Sequence, residues 1–393
     1  MRVCMFVINS VAADARVIKE AASLAGAGHD VTVIGMREGS QPRVETIEGF
    51  AVVRVRRDPV PRAITAAGRA PETPGSAGLA VALLDYYVRA LWMALRLRAD
   101  VYHAHDLVTL PVAWAAARAR GAKLVYDAHE LFTEIPRLGR LPRRLFRWME
   151  SALIGRADRV ITVNESIAAE LSRRYGVPPP LVVMNCPRTA GFAPQRATSP
   201  LRERIGVGSG VPLVLFQGMF MPHRGLENLV RAAARFARAH LVFMGWGPLL
   251  PELRLLAQET GIADRVHFTE GVPLADLLAF TSGADLGAIP YRNVGLNNYY
   301  TSPNKLYEYC AAGVPVVASR FPELTRVVDG LGIGLTFDPE DPGDIARAVD
   351  ELLEDERALR CVREGVARAA GRFTWENESK KLLEVYGALG RPA

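Results

Sequence analysis

Cysteine is scarce in this chain of 393 residues, and its positions match none of the spacings that its common structural roles need. Cys4, Cys186, Cys310 and Cys361 are far apart and form no CxxC pair. The sequence therefore predicts neither a disulfide framework nor a cysteine zinc site. Such cysteine usage is typical of a reducing compartment, and we expect a cytoplasmic protein.

Two common nucleotide-binding signatures are also missing. No GxGxxG follows a predicted strand and no GxxxxGK[ST] occurs, which removes the main support for a nicotinamide cofactor or a P-loop. No long basic run is interleaved with aromatic residues either. The formal net charge of +6 therefore indicates acidic small ligands or an anionic membrane surface, and we expect no nucleic-acid partner.

Long apolar segments are few. The start of the chain, MRVCMFVINS, lacks the charged region and cleavage site of a signal peptide and predicts a first strand. Residues 79–95 are the most apolar stretch, but Asp85 and Arg89 interrupt it. They predict a buried helix, with a membrane span as the alternative.

Runs rich in Val and Ile alternate with helical patterns along the whole chain, which predicts βαβ units and parallel sheets. The pattern restarts after residues 187–200, a stretch rich in Pro, Ala and polar residues. We therefore predict an α/β protein with two Rossmann-like, doubly wound parallel-sheet domains, 1–190 and 191–373, facing a central cleft. Residues 58–78 predict a long surface loop over the first domain. Thirteen strands are predicted, at residues 3–8, 31–34, 51–55, 101–104, 124–127, 159–163, 181–184, 213–217, 239–244, 266–268, 286–289, 315–318 and 333–337.

The segment SPNKLYEY, residues 302–309, predicts a lysine in the first turn of a helix, with Ser302 as N-cap and Pro303 as the first helical residue. A cation at this end costs roughly 0.3 to 1 kcal/mol unless an anion docks on the free backbone N–H groups. Glu308 shares the face of Lys305. Because the chain has only five lysines, we predict that Lys305 meets the diphosphate of a sugar nucleotide while Glu308 binds its ribose. A surface Lys–Glu pair is the alternative.

Two other segments of the second half follow predicted strands. Arg224 precedes Gly225 and an apolar-faced helix, so we predict that it reaches a phosphate; a solvated loop arginine is the alternative. Gly245 lies in a partial glycine turn, which either lets the backbone approach a nucleotide or is purely structural. Arg224 and Lys305 together would stabilise a leaving nucleoside diphosphate without a metal.

Polar side chains end two neighbouring predicted strands of the first half. They are His103, His105 and Asp106 from VYHAHD, and Asp127, His129 and Glu130 from VYDAHE. These groups suit hydrogen bonds to sugar hydroxyls, and a metal cluster is the alternative. The loop after the first strand, with Asn9, Ser10, Asp14 and Arg16, is predicted to face the same cleft, with helix capping as the alternative.

Residues 137–149 interleave five arginines with leucine, phenylalanine and tryptophan. The pattern predicts an amphipathic helix whose apolar side packs on the core. Peripheral contact with an anionic membrane, or a grip on a phosphorylated acceptor, is the alternative.

With these residues assembled, the chain resembles the GT-B fold glycosyltransferases, and most closely glycosyltransferase family 4. The matching segments are HAHDLVTLP, VYDAHELF, FQG, HRGLENL, HFTEGVP, SPNKLYEY, AAGVPVVAS and FTWENESKKLL, which together span nearly the full length. The resemblance implies an N-terminal acceptor domain, a C-terminal nucleotide-sugar domain, and a last helix, 374–390, that returns to the first domain. It also implies retention of anomeric configuration, with neither metal nor cofactor.

By position, Arg224 matches the family's basic residue before a glycine, and Glu308 matches the second Glu of its E-x7-E motif. The first Glu corresponds to Tyr300, and Met219 stands where an arginine is usual. We expect Tyr300 or Asn304 to replace the missing carboxylate at the donor sugar.

The resemblance implies that a diphosphate oxygen takes the proton of the attacking acceptor hydroxyl, so no enzymic nucleophile is needed. Arg224 and Lys305 would hold the diphosphate, and His129 would contact the donor sugar or hold developing charge. The predicted nucleotide-sugar contacts are Glu308, Asn304, Ser302, Pro303, Tyr300, Gly218, Gly245, Gly271 and Val272. The predicted acceptor contacts are Asn9, Ser10, Arg16, His105, Asp106 and Glu130.

Two other functions stay open at this point. The departures at Tyr300 and Met219 also fit a catalytically weak partner of another transferase, and the same architecture occurs in sugar-nucleotide epimerases. A small natural product, a lipid-linked glycan and a phosphorylated sugar are all possible acceptors, and we expect residues 58–78 and 137–149 to decide among them.

Overall fold

A computed structural model describes residues 1–56, 76–136, 138–194 and 199–390, so residues 58–75 of the predicted surface loop lie outside the described residues. The chain divides into two compact units. Unit 1 comprises Met1–Met184 with Glu378–Ala393, and unit 2 comprises Asn185–Asn377. The first boundary therefore lies just before the segment 187–200, and the second lies inside the last helix.

Unit 1 is built on an eight-stranded sheet in the order β3-β4-β2-β1-β5-β6-β7-β8. Its strands are β1 (Arg2–Phe6), β2 (Asp30–Met36), β3 (Val44–Ile47), β4 (Phe50–Val55), β5 (Val101–His105), β6 (Lys123–Ala128), β7 (Arg159–Thr162) and β8 (Leu181–Val182). Its helices are α1 (Ala15–Gly26), α2 (Ser76–Leu97), α3 (Leu110–Arg120), α4 (Arg140–Leu153) and α5 (Glu165–Tyr175), with short 3-10 turns at Phe132–Glu134 and Ile154–Arg156.

Strand β3 is the one strand of this sheet that the sequence did not predict. It pairs antiparallel with β4 through Ile47 and Phe50, and the two residues between them, Glu48 and Gly49, both have positive φ. Two-residue hairpins need this backbone conformation, which Asn-Gly or Asp-Gly pairs usually announce. Glu-Gly is a weak signal, and the short strand was therefore missed.

Unit 2 is a six-stranded parallel sheet in the order β11-β10-β9-β12-β13-β14. Its strands are β9 (Leu213–Met219), β10 (His240–Trp246), β11 (Val266–Thr269), β12 (Leu286–Ile289), β13 (Val316–Ser319) and β14 (Gly334–Phe337). Its helices are α6 (Pro200–Ile205), α7 (Leu226–Ala233), α8 (Leu250–Glu259), α9 (Leu277–Thr281), α10 (Leu296–Tyr299), α11 (Asn304–Ala311), α12 (Pro322–Val328), α13 (Pro342–Glu354) and α14 (Glu356–Ala370). A last helix, α15 (Trp375–Leu389), begins in unit 2 and belongs to unit 1 from Glu378 on.

All thirteen predicted strands are present, and the predicted fold class of two Rossmann-like parallel-sheet domains is confirmed. Parallel pairing aligns the carboxyl ends of neighbouring strands. In unit 1, Phe6 of β1 is level with Ala104 of β5, and His105 is level with Asp127 of β6. The polar segments that follow these strands therefore meet at one edge of the sheet.

The predicted helix at residues 79–95 is confirmed as α2, but the prediction that it is buried is wrong for one face. Leu84, Val88 and Trp92 are exposed. Among the described residues, no helix combines the length and the apolar character needed to cross a membrane.

Residue 137 of the amphipathic stretch 137–149 lies outside the described residues, and residues 140–149 belong to helix α4. The predicted packing is wrong for three apolar side chains of this helix. Leu141, Leu145 and Trp148 are exposed, whereas Phe146 faces the core. Phe146 packs edge-on against Phe132.

Gly225 provides a test of the turn that leads into α7. Its φ is +71°, and a Cβ added there would lie 1.7 Å from the carbonyl oxygen of Pro290. Gly261 has nearly the same φ, +70°, but open space around it. An L-residue in this conformation costs about 1–2 kcal/mol. We therefore expect Gly261→Ala to cost about that amount and Gly225→Ala to cost clearly more, as measured by urea unfolding. Equal losses in the two variants would show that the contact with Pro290 relaxes freely.

Candidate functional site

Lys305 is buried near the start of α11. Its Nζ lies 3.6 Å from the ring centroid of Phe216 and 5.2 Å from that of Tyr291. A Cβ on Gly218 would lie 3.6 Å from the same Nζ. Lys305 forms no ion pair with any other residue that the structure describes. Burial and the nearby Arg224 hold the pKa of this lysine well below its usual value, and Glu308 opposes that shift.

Arg224 also lies over the ring of Tyr291. Its guanidinium carbon is 4.2 Å from the ring centroid of Tyr291, and it too has no ion pair within the described part of the chain. The flanking residues His223 and Gly225 both have φ near +70°, so the loop is held in a specific bend. The structure thus brings Arg224 and Lys305 together around one buried tyrosine, as the sequence analysis expected of two converging cations.

Glu308 is held by a residue that the sequence analysis did not select. The side-chain amide of Gln217 donates a 2.6 Å hydrogen bond to Glu308 Oε2, and its carbonyl oxygen accepts a 2.8 Å bond from Thr281 Oγ1. Gln217 is buried at the end of β9. Its place in the FQG segment, beside Gly218, was the available signal. Gln217 and Tyr291 complete the set of groups around the two cations.

The start of α11 differs from the prediction by one residue. The helix begins at Asn304, and Pro303 is the N-cap residue, with an extended backbone and no side-chain cap. Ser302 is therefore not the N-cap, because a proline at the cap position leaves it outside the helix. Asn304 is exposed and accepts a 3.1 Å hydrogen bond from Asn185, and Tyr300 is half-buried just after α10.

Gly245 and Gly271 shape the neighbouring part of the same sheet edge. Gly245 is paired with Gly218, and a Cβ on Gly245 would lie 2.0 Å from the carbonyl oxygen of Gly218, so only glycine fits there. Gly271 lies against the ring of Trp246. With Val272 it lines a groove of about 660 Å³ that also contacts Arg204 and the strand β11. The predicted nucleotide-sugar contacts Gly271 and Val272 therefore border an open groove.

Unit 1 contains a second cluster, in which the charges are paired. Arg16 is buried and donates to both carboxylate oxygens of Asp127, at 2.8 and 2.7 Å, and to the carbonyl oxygen of Val183 at 2.7 Å. Its Nε also lies 3.0 Å from Glu20 Oε1. The donors of Arg16 are used inside the unit, and its predicted contact with an acceptor stays a prediction. Its role is to hold Asp127.

His129 lies between two carboxylates. Its Nε2 is 2.9 Å from Asp127 Oδ2 and its Nδ1 is 3.3 Å from Asp106 Oδ2. Burial disfavours the charged ring, but Asp106 and Asp127 outweigh that cost and raise the pKa of His129 to about 10. The side chain is 19% exposed, so this imidazolium is the part of the cluster, together with Asp106, that a ligand can reach.

Behind His129 the cluster continues inward. His105 is buried and its Nδ1 lies 3.2 Å from Asp127 Oδ2, and its ring stacks on that of His103. His103 Nδ1 is 2.8 Å from the hydroxyl of Tyr386, and its Nε2 is 3.9 Å from Glu20 Oε2. His105 is thus buried behind His129, and its predicted contact with an acceptor stays a prediction. Glu20, one helical turn after Arg16, was missed although that spacing marks an ion pair.

The loop after β1 is organised by helix capping, which was the alternative in the sequence analysis. Asp14 caps α1 by accepting from the backbone of Val17 at 3.1 Å, and Asn9 donates to Asp14 at 2.7 Å. Ser10 is buried and its carbonyl accepts from Arg54. Asn9 and Ser10 thus shape the loop. Glu130 is half-buried after β6.

The alternative of a metal cluster has a geometric basis. Ligand atoms of Glu20, His103, His105 and Asp127 lie within 4.8 Å of one another. However, both Asp127 oxygens already accept hydrogen bonds from Arg16, and a guanidinium 3.0 Å from Glu20 supplies positive charge where an ion would lie. The residues present fit a paired ionic cluster better than a metal centre.

Two sequence profiles match the chain. Residues 13–188 match the "Glycosyl transferase 4-like domain", and residues 211–355 match "Glycosyl transferases group 1". These two matches cover most of both units.

Curated relatives carry related names. The chain is 32% identical over 312 residues to a D-inositol 3-phosphate glycosyltransferase of Acidothermus cellulolyticus, an alignment that covers 73% of this chain and 66% of that protein. It is 31% identical over 310 residues to D-inositol 3-phosphate glycosyltransferase 2 of Catenulispora acidiphila, covering 73% and 70%. The chain thus spans about two thirds of the length of these relatives.

Solved structures show the same architecture. A sucrose-phosphate synthase of Thermosynechococcus elongatus is similar with a TM-score of 0.82, at 21% identity over 99% of both chains. HepE of Anabaena in complex with UDP-glucose has a TM-score of 0.72 at 16% identity, over 99% of this chain and 100% of that one. At such identities the likeness concerns the fold.

Glu20 allows a test of the buried cluster. Burial and Asp127 raise the pKa of Glu20 to about 7, from 4.5. A carboxyl group whose pKa is raised on folding stabilises the native state fully below its unfolded pKa and loses that contribution as the pH rises through its folded pKa. The difference corresponds to about 3 kcal/mol. We expect the free energy of unfolding of the wild type, relative to Glu20→Gln, to fall by up to that amount between pH 4.5 and 8.

The measurement is urea unfolding of both proteins across this pH range. In the difference between their free energies of unfolding, the contributions of titratable groups other than Glu20 largely cancel. Glu384→Gln, at an exposed carboxylate of α15, is the matched control and should show no such trend. A constant difference between wild type and Glu20→Gln would contradict the raised pKa.

Proposed function

This chain belongs to the glycosyltransferase 4-like family of GT-B enzymes, and on that premise we propose that it transfers a sugar from a nucleoside-diphosphate sugar to an acceptor hydroxyl. The proposed reaction retains the anomeric configuration and needs no metal. Unit 2 would bind the donor and unit 1 the acceptor.

One observation carries this proposal: Lys305 and Arg224 lie around Tyr291 without a carboxylate partner among the described residues. Burying an ammonium group without an anion is costly, and its lowered pKa reflects that cost. A site of this kind is completed by an anionic ligand. The diphosphate of a sugar nucleotide would supply two or more negative charges, and the neighbouring start of α11 would add backbone donors.

The proposed chemistry is the one that the family resemblance implies, and it uses that charge distribution. The acceptor oxygen forms a bond to the anomeric carbon while the bond from that carbon to the diphosphate oxygen breaks. The proton of the acceptor hydroxyl passes to a diphosphate oxygen, and the two cations stabilise the negative charge on the departing diphosphate. Glu308, fixed by Gln217, would accept hydrogen bonds from the ribose.

We propose an electrostatic role for His129. Both of its ring nitrogens lie beside carboxylates, and its pKa of about 10 keeps it protonated near neutral pH. A protonated ring cannot accept the proton of an acceptor hydroxyl, so His129 would hold developing charge and is not a general base.

Two observations support transfer without a metal. Arg16 donates to both oxygens of Asp127, which leaves that carboxylate poorly suited to bind an ion. The two cations of unit 2 would neutralise the charge of a diphosphate as a divalent ion does. Activity that persists after treatment with EDTA would agree with this proposal.

The buried free cysteines fit our proposal of a cytoplasmic setting.

The names of the relatives guide the choice of acceptors for assay. Several are called D-inositol 3-phosphate glycosyltransferase, and one from Mycolicibacterium smegmatis, 35% identical over 209 residues, is called GDP-mannose-dependent alpha-(1-6)-phosphatidylinositol monomannoside mannosyltransferase. We propose an acceptor that carries a phosphorylated inositol or a similar polyol, either free or attached to lipid. A thermal-shift screen of nucleoside diphosphates and their sugars would identify the donor, since a bound ligand stabilises the native state.

Tyr300 and Met219, which replace usual family residues, support the second candidate, a weakly active partner of another transferase. Slow hydrolysis of the donor by the purified protein would count against it. Isomerisation of the donor in the absence of an acceptor would instead indicate an epimerase.

We expect Arg224→Ala and Lys305→Ala each to lower the turnover number about a hundredfold or more, because each removes a cation that stabilises the leaving diphosphate. The measurement is release of the nucleoside diphosphate in the presence of donor and acceptor. Arg231→Ala, which removes an exposed arginine of α7, is the matched control and should retain full activity. Wild-type rates in both site variants would refute the mechanism.

The lowered pKa of Lys305 predicts proton uptake when a nucleoside diphosphate binds. An anion beside the ammonium group favours its protonated form, so affinity should fall by up to tenfold for each pH unit above the pKa of the free site. Calorimetry between pH 7 and 10, in buffers of different ionisation enthalpy, measures the protons taken up. Lys305→Met should take up none, and an absence of uptake in the wild type over this range would contradict the prediction.

A further inference from the structure

Exposed apolar side chains of unit 1 are concentrated on two helices. Among the described residues, six of the eleven large apolar side chains that are exposed lie on α2 and α4. They are Leu84, Val88, Trp92, Leu141, Leu145 and Trp148. Single exposed apolar residues are ordinary, but a concentration of this kind marks an interaction surface.

On α4 the exposed residues follow helical spacing. Leu141, Leu145 and Trp148 recur at intervals of four and three, so they form one stripe, and Trp148 is 69% exposed. The opposite face, with Phe146 and Glu150, is buried. Because the opposite face of α4 packs against unit 1, the stripe faces away from the core.

Helix α2 presents a similar stripe, with Leu84, Val88 and Trp92 at intervals of four. Helix α3 packs against both α2 and α4, so the three helices belong to one layer of unit 1. The guanidinium of Arg96 lies 3.4 Å from the ring centroid of Trp92, which places a cation beside the apolar stripe.

The charge around the α4 stripe is positive. Arg140 and Arg144 are exposed and form no ion pair with another described residue, while Arg147 is paired with Glu134 at 2.6 Å. Between residues 140 and 149 there is no acidic residue. A helix with aromatic and leucine side chains flanked by free arginines has the composition of an interfacial membrane helix.

We propose that the exposed faces of α2 and α4, called here the α2–α4 surface, dock unit 1 onto an anionic lipid bilayer. The six apolar side chains would enter the boundary between headgroups and acyl chains, and Arg140 and Arg144 would meet lipid phosphates. This surface is separate from the cation site of unit 2, and the inference does not depend on the proposed reaction.

Charge favours a bilayer over a second copy of this chain as the partner. An isologous dimer through the α2–α4 surface would bring together two copies of the same arginine-bearing patch, with no free carboxylate on α4 to pair with those arginines. An anionic bilayer supplies a continuous layer of negative charge above an apolar interior, which complements both features.

The test is sedimentation of the full chain with vesicles of phosphatidylcholine alone and with 30% phosphatidylglycerol. We expect binding to the anionic vesicles that weakens as salt is raised. Substitution of Arg140 and Arg144 by Ala should weaken binding about fivefold for each arginine removed. The triple variant Leu141→Ser, Leu145→Ser and Trp148→Ser should bind at least tenfold more weakly. Leu255→Ser, at an exposed leucine of unit 2, is the matched control and should bind like the wild type.

A measurement on otherwise intact protein keeps the test independent of folding in the triple variant. Brominated acyl chains should quench the tryptophan fluorescence of the wild type, and Trp148→Phe should lose part of that quenching. The inference is overturned if the wild type fails to bind anionic vesicles at low salt, if binding ignores the charge of the vesicle, or if the triple variant loses a dimer and not vesicle binding.

Discussion

A buried ammonium group that pairs with no carboxylate among the described residues is the constraint on which unit 2 depends. Phe216 and Tyr291 surround Lys305, and Gly218 lets the strand pass beside its Nζ. Aromatic faces attract a cation, but they compensate only part of the cost of removing it from water. We therefore propose that an anion completes the site, and the second cation, Arg224, adds to the positive charge that it would meet. Stored electrostatic cost of this kind distinguishes a binding site from a structural ion pair.

Unit 1 is also built on a largely parallel sheet, but its buried charged groups are paired with one another. Arg16, Asp127 and His129 satisfy one another through short contacts, and only the outer part of His129 and Asp106 reaches the surface. Such a network rigidifies the sheet edge and fixes the orientation of the imidazolium. A paired cluster presents a preformed hydrogen-bonding surface, whereas cations without an ion-pair partner attract an anion.

Sequence reasoning succeeded where the signal is local and periodic. Alternation of strands and helices predicted both sheets, because a parallel strand buried on both faces must be continuously apolar. Sequence reasoning failed to predict which face of an amphipathic helix is buried. On α4 the apolar residues Leu141, Leu145 and Trp148 have the spacing of a core face, yet they are exposed, since only Phe146 and Glu150 point toward the sheet. Periodicity shows that a helix has an apolar face but does not show what covers that face.

The sequence by itself determined the fold class and thirteen of the fourteen described strands, and it singled out Lys305, Arg224 and Glu308 as candidates, since each of these leaves a trace in spacing or in an unusual residue at a helix start. Only the tertiary structure decided which charges are paired. Arg16 and Arg224 look alike as loop or helix arginines, but one lies against Asp127 and the other over Tyr291. Partners separated by 111 and by 67 positions meet only when the sheets assemble, because an ion pair depends on distance in space and not on distance along the chain.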